Sequence, residues 1–190
     1  GKHRIVIFKP TSLELSNLLN NYPDCETESF SDHYFNGIAG YNRLMMSEEF
    51  YARFIDSEYI LIYQLDAYVF KDELIDWCSK GYDYIGAPWL LRPIYNFPLL
   101  KFTSWIKRKY CQITNQPCSQ MTRFKVGNGG LSLRKISSHI KAVTELKTIT
   151  EQYLQVRHHL YNEDVFFSIE VNRHGLNFRY PSWQEALQFS

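Results

Sequence analysis

The sequence has few cysteines, no long apolar run and almost no net charge, and each shortage removes a class of function. Cys25, Cys78, Cys111 and Cys118 form no Cys-x-x-Cys pair and have no histidine pair at ligand spacing, which argues against a zinc site. Cys111 and Cys118 could pair in an oxidising compartment. A chain this poor in cysteine, without a signal-peptide pattern, reads instead as one kept in a reducing cytoplasm. No apolar stretch approaches the roughly 20 residues of a membrane-spanning helix, so the expectation is a soluble or at most peripheral protein. A net charge of +1 supplies no overall field for nucleic acid or an anionic membrane, so any phosphate recognition must be local. There is no internal repeat and no low-complexity tract.

What is present is apolar and aromatic: 190 residues, 45% hydrophobic and 16% aromatic, enough for one buried core and one domain. The chain enters a strand, Arg4 to Phe8, almost at once, which predicts that residues precede it in the full-length protein. Thr11 or Ser12 can cap a helix carrying Leu13, Leu15, Leu18 and Leu19, and a short strand is expected near Cys25 to Phe30. Helical spacing runs from Tyr41 to Phe54. The run Tyr59 to Leu65 has the continuous apolar character of a strand buried on both faces of a parallel sheet.

A short helix from Leu74 to Ser79, closed by Gly81, and a strand Tyr84 to Trp89 follow. Residues 90–123 carry Pro93, Pro98 and Pro117 without clean periodicity and read as an irregular, mobile insertion. After Gly127-Asn128-Gly129-Gly130 come a strand, a helix from about Ser137 to Leu146, a helix from Asn162 to His174, a late strand Phe178 to Tyr180 and a short helix capped by Ser182. Strands alternating with helices predict an α/β domain with a largely parallel sheet.

Three places could carry chemistry. Asp66 stands where the buried strand emerges, the edge at which open α/β sheets bind ligands; it can meet a cation or a ribose, or simply cap the turn. Gly127-Asn128-Gly129-Gly130 lets a backbone approach a ligand closely, or makes a tight turn. No Lys-Ser/Thr follows it, so it is no P-loop. Glu163 and Asp164 open a helix, where carboxylates either favour the helix dipole or serve as a general base. Arg43, in a helix expected to open at Gly40, suits phosphate oxygens or is a surface arginine. Tyr68 and Trp89 could stack on a base or sugar. The basic and aromatic residues 101–110 suit either a membrane surface or solvent.

The order of these pieces resembles a known family. Tyr41-Asn42-Arg43-Leu44 followed by Ile60 to Phe70 resembles the approach to the Asp-x-Asp motif of GT-A glycosyltransferases. Gly127 to Arg134 is similar to their acceptor-side glycine segment, and Asn162 to Phe167 to the Glu-Asp-Val motif of inverting members. The series GIAGYNRL, YQLDAYVF, YDYIGAPW, GNGGLSLR and NEDVFF also resembles an uncharacterised bacterial family of surface-polysaccharide loci.

The resemblance implies a GT-A, Rossmann-like single domain with a mostly parallel central sheet, lacking its N-terminal strand. It also implies inverting transfer of a sugar from a nucleotide-sugar to a glycan or lipid-linked acceptor, in the cytoplasm or at the inner membrane. On that reading Asp164 and Glu163 are catalytic, and Asn42, Arg43, Asp66 and Tyr68 hold the donor. Trp89, Asn128, Gly129 and Gly130 place the acceptor. Tyr68 stands where the second aspartate of the motif is expected, leaving Asp66 alone to meet Mn²⁺ or Mg²⁺. The alternatives are a nucleotide-sugar-binding domain without turnover and a scaffold.

Overall fold

The structure is a computed structural model that describes residues 2–90, 97–114 and 117–189. Two small sheets organise it. Strands β1 (Ile5–Pro10) and β2 (Cys25–Phe30) pair in parallel across the crossover helix α1 (Ser16–Asn21). A 3-10 turn (Asp32–Phe35) leads into α2 (Gly37–Met45) and α3 (Glu48–Ala52). The second sheet has strand order β3-β5-β4, from β3 (Tyr59–Tyr63), β4 (Tyr84–Gly86) and β5 (Leu131–Lys135); α4 (Leu74–Ser79) lies between β3 and β4. The remaining helices are α5 (Pro98–Ile113), α6 (Ser119–Thr122), α7 (Ile136–Glu145), α8 (Lys147–Gln155), α9 (Glu163–Val165), α10 (Val171–Arg173) and α11 (Trp183–Ala186). A π-helical stretch, Phe166–Glu170, joins α9 to α10.

The chain is α/β, but the mostly parallel central sheet is not what it builds. Among the described residues the parallel part is only the β1–β2 pair, and β5 runs antiparallel to both its neighbours, with Tyr59 opposite Lys135 and Tyr84 opposite Arg134. The continuous apolar run of β3 does reflect two covered faces. Ile60 and Ile62 pack in the main core with Phe50, Tyr51 and Phe167, while Tyr59 and Leu61 meet Trp77, Ile85 and Leu133 on the other side. Burial on both faces fixes the composition of a strand and leaves its pairing direction open.

Local chemistry sets most boundaries. The helix expected from Tyr41 to Phe54 is split because the Ser47 hydroxyl accepts the Phe50 N–H at 3.2 Å and starts a new helix there. Helix α2 begins at Gly37, so Gly40 lies inside it, against the carbonyls of His33 and Tyr34, and does not open it. Ser182 caps α11 as expected, accepting from the Glu185 N–H at 3.2 Å. Segment 90–123, expected to be irregular, holds the 16-residue α5, begun by Pro98 at its first turn, and the short α6. Residues 91–96 and 115–116 of that segment, including Pro93, lie outside the described residues. Phe178 to Tyr180 joins no strand, and α8 has no counterpart in the sequence reading.

His139 sits at the centre of the core, ringed by Tyr51, Tyr84, Phe167 and Phe178. Its Nδ1 meets the Lys135 carbonyl at 2.9 Å. Burial, helped by the Arg134 charge, holds its pKa well below the ordinary value of 6.5. A depressed histidine gives stability that is present above the unfolded value and is lost as pH falls, because only the unfolded chain takes up the proton. Unfolding free energy is therefore expected to drop below pH 6.5, by up to about 1.4 kcal/mol per pH unit. Denaturant unfolding of the wild type and His139→Phe across pH checks this: the difference between them should change over that window, and a constant difference refutes it.

Candidate functional site

Three chain segments meet where β3 and β4 end and β5 begins. The Gln64 N–H donates to the Gly130 carbonyl at 2.8 Å and the Gly127 N–H to the Ala87 carbonyl at 2.9 Å. The turn Asn128–Gly130 is thus held between the ends of the two outer strands. The start of α9 packs on this turn: the Asn128 backbone lies near enough to the Asp164 carboxylate to lower its pKa, and the Glu163 carboxylate stands beside Gly129.

Beneath the turn lies a buried ion pair. Arg134, with 0% of its side chain exposed, donates to Glu163 Oε2 at 3.0 Å. Its other hydrogens go to Ser132 Oγ at 3.0 Å, the Tyr51 hydroxyl at 2.9 Å and the Gly129 carbonyl at 3.5 Å. The rings of Tyr84 and Phe167 stand 5.6 and 5.5 Å from the guanidinium carbon. The Gly129 carbonyl also accepts from the Tyr41 hydroxyl at 3.1 Å and Ser132 Oγ at 3.2 Å. A buried cation on a strand persists here because all three of its nitrogens find acceptors and the charge finds a carboxylate. Burial, with the nearby Asp164 charge, pushes the Glu163 carboxyl up to about 7, while Arg134 pulls it down.

Asp164 is different: half-buried, it keeps an open side. Its Oδ1 accepts the Val165 N–H at 2.8 Å. Burial raises its pKa above the ordinary 3.8, against those backbone donors and the Arg134 charge. Asn42 orients the segment, accepting the Glu163 N–H at 3.2 Å and donating to Asn162 Oδ1 at 3.0 Å. A carboxylate held rigidly at an open edge, with raised proton affinity, has the equipment of a general base.

The predicted residues divide. Asn42, Asn128, Gly129, Gly130, Glu163 and Asp164 are brought together, with Asn42 and Glu163 buried inside the frame. Asp66 is exposed on the turn after β3 and Tyr68 is 72% exposed against Phe70. Arg43 is exposed in the last turn of α2, where its charge acts on Tyr34. Trp89 is half-buried against Cys111, Cys118 and Met121, its ring filling the space over Gly127. Among the described residues no group of three or more His, Cys, Asp or Glu is placed to hold a metal ion. Sequence reasoning missed Arg134 and Tyr51. In β5 Ser132 and Arg134 alternate with Leu131 and Leu133, a pattern that reads as one apolar and one solvated face, so no local signal marked Arg134 as buried.

A separate concavity of about 610 Å³ opens at the carboxyl ends of β1 and β2, lined by Thr11, Ser12, Ser31, Asp32 and Arg53. Hydrogen bonds from Ser12 hold the Asp32 carboxyl below its ordinary range.

The profile of one protein family, DUF5672, described as a protein of unknown function, matches residues 24–190. The chain belongs to this family. No curated protein and no solved structure matches the chain. The match takes in the whole of the site just described, so the DUF5672 region carries the Arg134–Glu163 pair and Asp164 together.

The glycines of the turn make a prediction that separates close packing from mere turn geometry. A Cβ on Gly129 would lie 1.6 Å from Glu163 Oε1, which Arg134 pins in place; one on Gly130 would lie 2.6 Å from Gln64 Oε1, the tip of a half-buried side chain. Gly129→Ala is expected to cost about 2 kcal/mol or more, on the order of 5 °C in melting temperature. Gly130→Ala should cost clearly less, because Gln64 can swing away. Equal losses in a thermal melt would show that Glu163 is not pinned.

Proposed function

We propose that the chain is a transferase that moves a sugar from a nucleotide-sugar donor to an acceptor hydroxyl, with Asp164 as the general base. The observation that carries this reading is the Asp164 carboxylate, open on one side, raised in proton affinity and held by the Val165 N–H beside the Asn128–Gly130 turn. The acceptor hydroxyl gives its proton to Asp164 and its oxygen attacks the anomeric carbon. The bond from that carbon to the diphosphate oxygen breaks, the nucleoside diphosphate leaves with the electron pair, and the configuration inverts. Asn128 and the half-buried edge of the turn place the acceptor, while Asp66 and Tyr68, on the exposed loop just past Gln64, face the donor. The four cysteines are all free thiols, which suits a reducing cytoplasm, and synthesis of a surface polysaccharide or other glycan fits a hydroxyl acceptor.

A second reading, nucleotide-sugar binding without turnover, is favoured by one observation: Arg43, expected to meet the donor's phosphates, is exposed in the last turn of α2, where its charge acts on Tyr34. Thermal melts of the chain with UDP-, GDP-, dTDP- and CMP-sugars, with and without Mn²⁺, test both. One donor at a hundredfold excess over its dissociation constant should stabilise by about 2.7 kcal/mol, and Asp66→Ala should reduce the shift. Release of the free nucleotide on adding acceptor supports transfer. A shift without release supports the second reading, and no shift with any donor removes both.

A further inference from the structure

Helix α5 is amphipathic with its apolar side facing out. Leu99, Phe102, Ile106, Tyr110 and Ile113 follow one another at three- and four-residue steps and form one stripe, 73, 58, 47, 61 and 82% exposed. Trp105, 57% exposed, stacks beside Phe102 with ring centroids 6.2 Å apart. The residues that α5 buries are Ser104 and Cys111, on the opposite side, where Cys111 packs with Cys118, Met121, Val165 and Ile169. A surface helix normally turns its apolar stripe to the core, so a stripe of six large apolar side chains left in water marks a contact surface.

Charge says which contact. Lys101, Lys107, Arg108 and Lys109 are all exposed and no acidic residue lies between Pro98 and Ile113, so one helix carries four positive charges in a chain whose net charge is +1. At helical spacing, Lys101 and Arg108 flank one edge of the stripe and Lys107 the other, with Lys109 near its middle. A second copy of the helix laid against this stripe would set four cations against four with no anion between them, which opposes self-association. The stripe is convex along about 24 Å of helix, its tryptophan and tyrosine suit the boundary between headgroup and acyl chain, and lysine stems can lie along apolar surface while their heads reach phosphate. We infer that α5 is an interfacial helix by which the chain docks on a membrane surface rich in anionic lipid, its apolar stripe in the headgroup boundary and its cations on lipid phosphates. This inference does not depend on the role of Asp164.

Co-sedimentation of the chain with vesicles of phosphatidylcholine, and of phosphatidylcholine mixed with phosphatidylserine, tests it. Binding is expected to the mixed vesicles and to weaken with added salt. Replacing the three adjacent cations together (Lys107→Gln, Arg108→Gln, Lys109→Gln) should weaken it roughly a hundredfold. Phe102→Ser with Ile106→Ser should remove binding even at low salt, with an unchanged melting temperature because both residues are exposed. Four outcomes overturn the inference: no binding to mixed vesicles at low ionic strength, equal binding to both vesicle types, unchanged binding of the folded variants, or dimerisation through α5 in sedimentation velocity without lipid binding.

Discussion

Asp164→Asn is expected to abolish sugar transfer while leaving the melting temperature at or above that of the wild type. The substitution keeps the shape and one acceptor oxygen for the Val165 N–H, now 2.8 Å from Oδ1, and removes the ability to take a proton. A lost general base costs about a hundred- to ten-thousandfold in rate. The stability half follows from sign. Burial raises the Asp164 pKa, so this group's contribution to stability is full below the unfolded value of 3.8 and is lost as pH rises through the folded one. At neutral pH the ionised carboxylate is a burden on the fold that asparagine lacks. The same shift sets the pH profile: kcat/KM should fall on the acid side with an apparent pKa above 3.8, since the base must be ionised to act. Turnover in Asp164→Asn within tenfold of wild type, using whichever donor gives a thermal shift, would remove Asp164 from the reaction.

Arg134→Met should be the most damaging single substitution to the fold. It leaves the Glu163 carboxylate, 3% exposed, without the cation 3.0 Å away, and takes one donor each from the Gly129 carbonyl and the Tyr51 hydroxyl, which keeps only its bond to the Met45 carbonyl. Breaking a buried pair from one side costs about 3–5 kcal/mol, on the order of 10 °C for a domain of this size. Adding Glu163→Leu to Arg134→Met should restore part of the loss, because two apolar side chains leave no stranded charge. Denaturant melts of both single variants and the double complete the cycle. A loss under about 1 kcal/mol in Arg134→Met would mean that Glu163 does not stay a stranded charge, because it takes up a proton or meets water.

How much of this was legible beforehand depended on how local the determining chemistry is. Leu74–Ser79, the Ser182 cap and the helical course through Glu163–Arg173 could be read because capping residues and apolar spacing act within a few positions. Pairing direction could not: β5 joins β3 from a distance of about seventy residues, and nothing within Tyr59–Tyr63 specifies which way its partner runs. Helix α5 escaped because its apolar stripe is interleaved with four cations and preceded by prolines, while α8 hides behind the β-branched run Thr148-Ile149-Thr150. For the site, the glycine turn and Glu163–Asp164 stood out by residue type as separate places, and their sharing one site was implied only by the resemblance. The ion pair that holds them did not stand out, since Arg134 looks like an ordinary charge at the end of a strand until a core forms around it.

The order β3-β5-β4 also fixes a sequence of events in time. As the chain leaves the ribosome, β3 and β4 emerge well before residue 131 and cannot pair with each other, because the place between them belongs to β5. Until Lys135 has been made, both offer bare edges and apolar faces to whatever is near. Closure of this sheet is a long-range step of the kind that slows folding and exposes intermediates to aggregation. When it happens it delivers Arg134 to Tyr51, but the charge also needs Glu163, which lies 29 residues further along the chain.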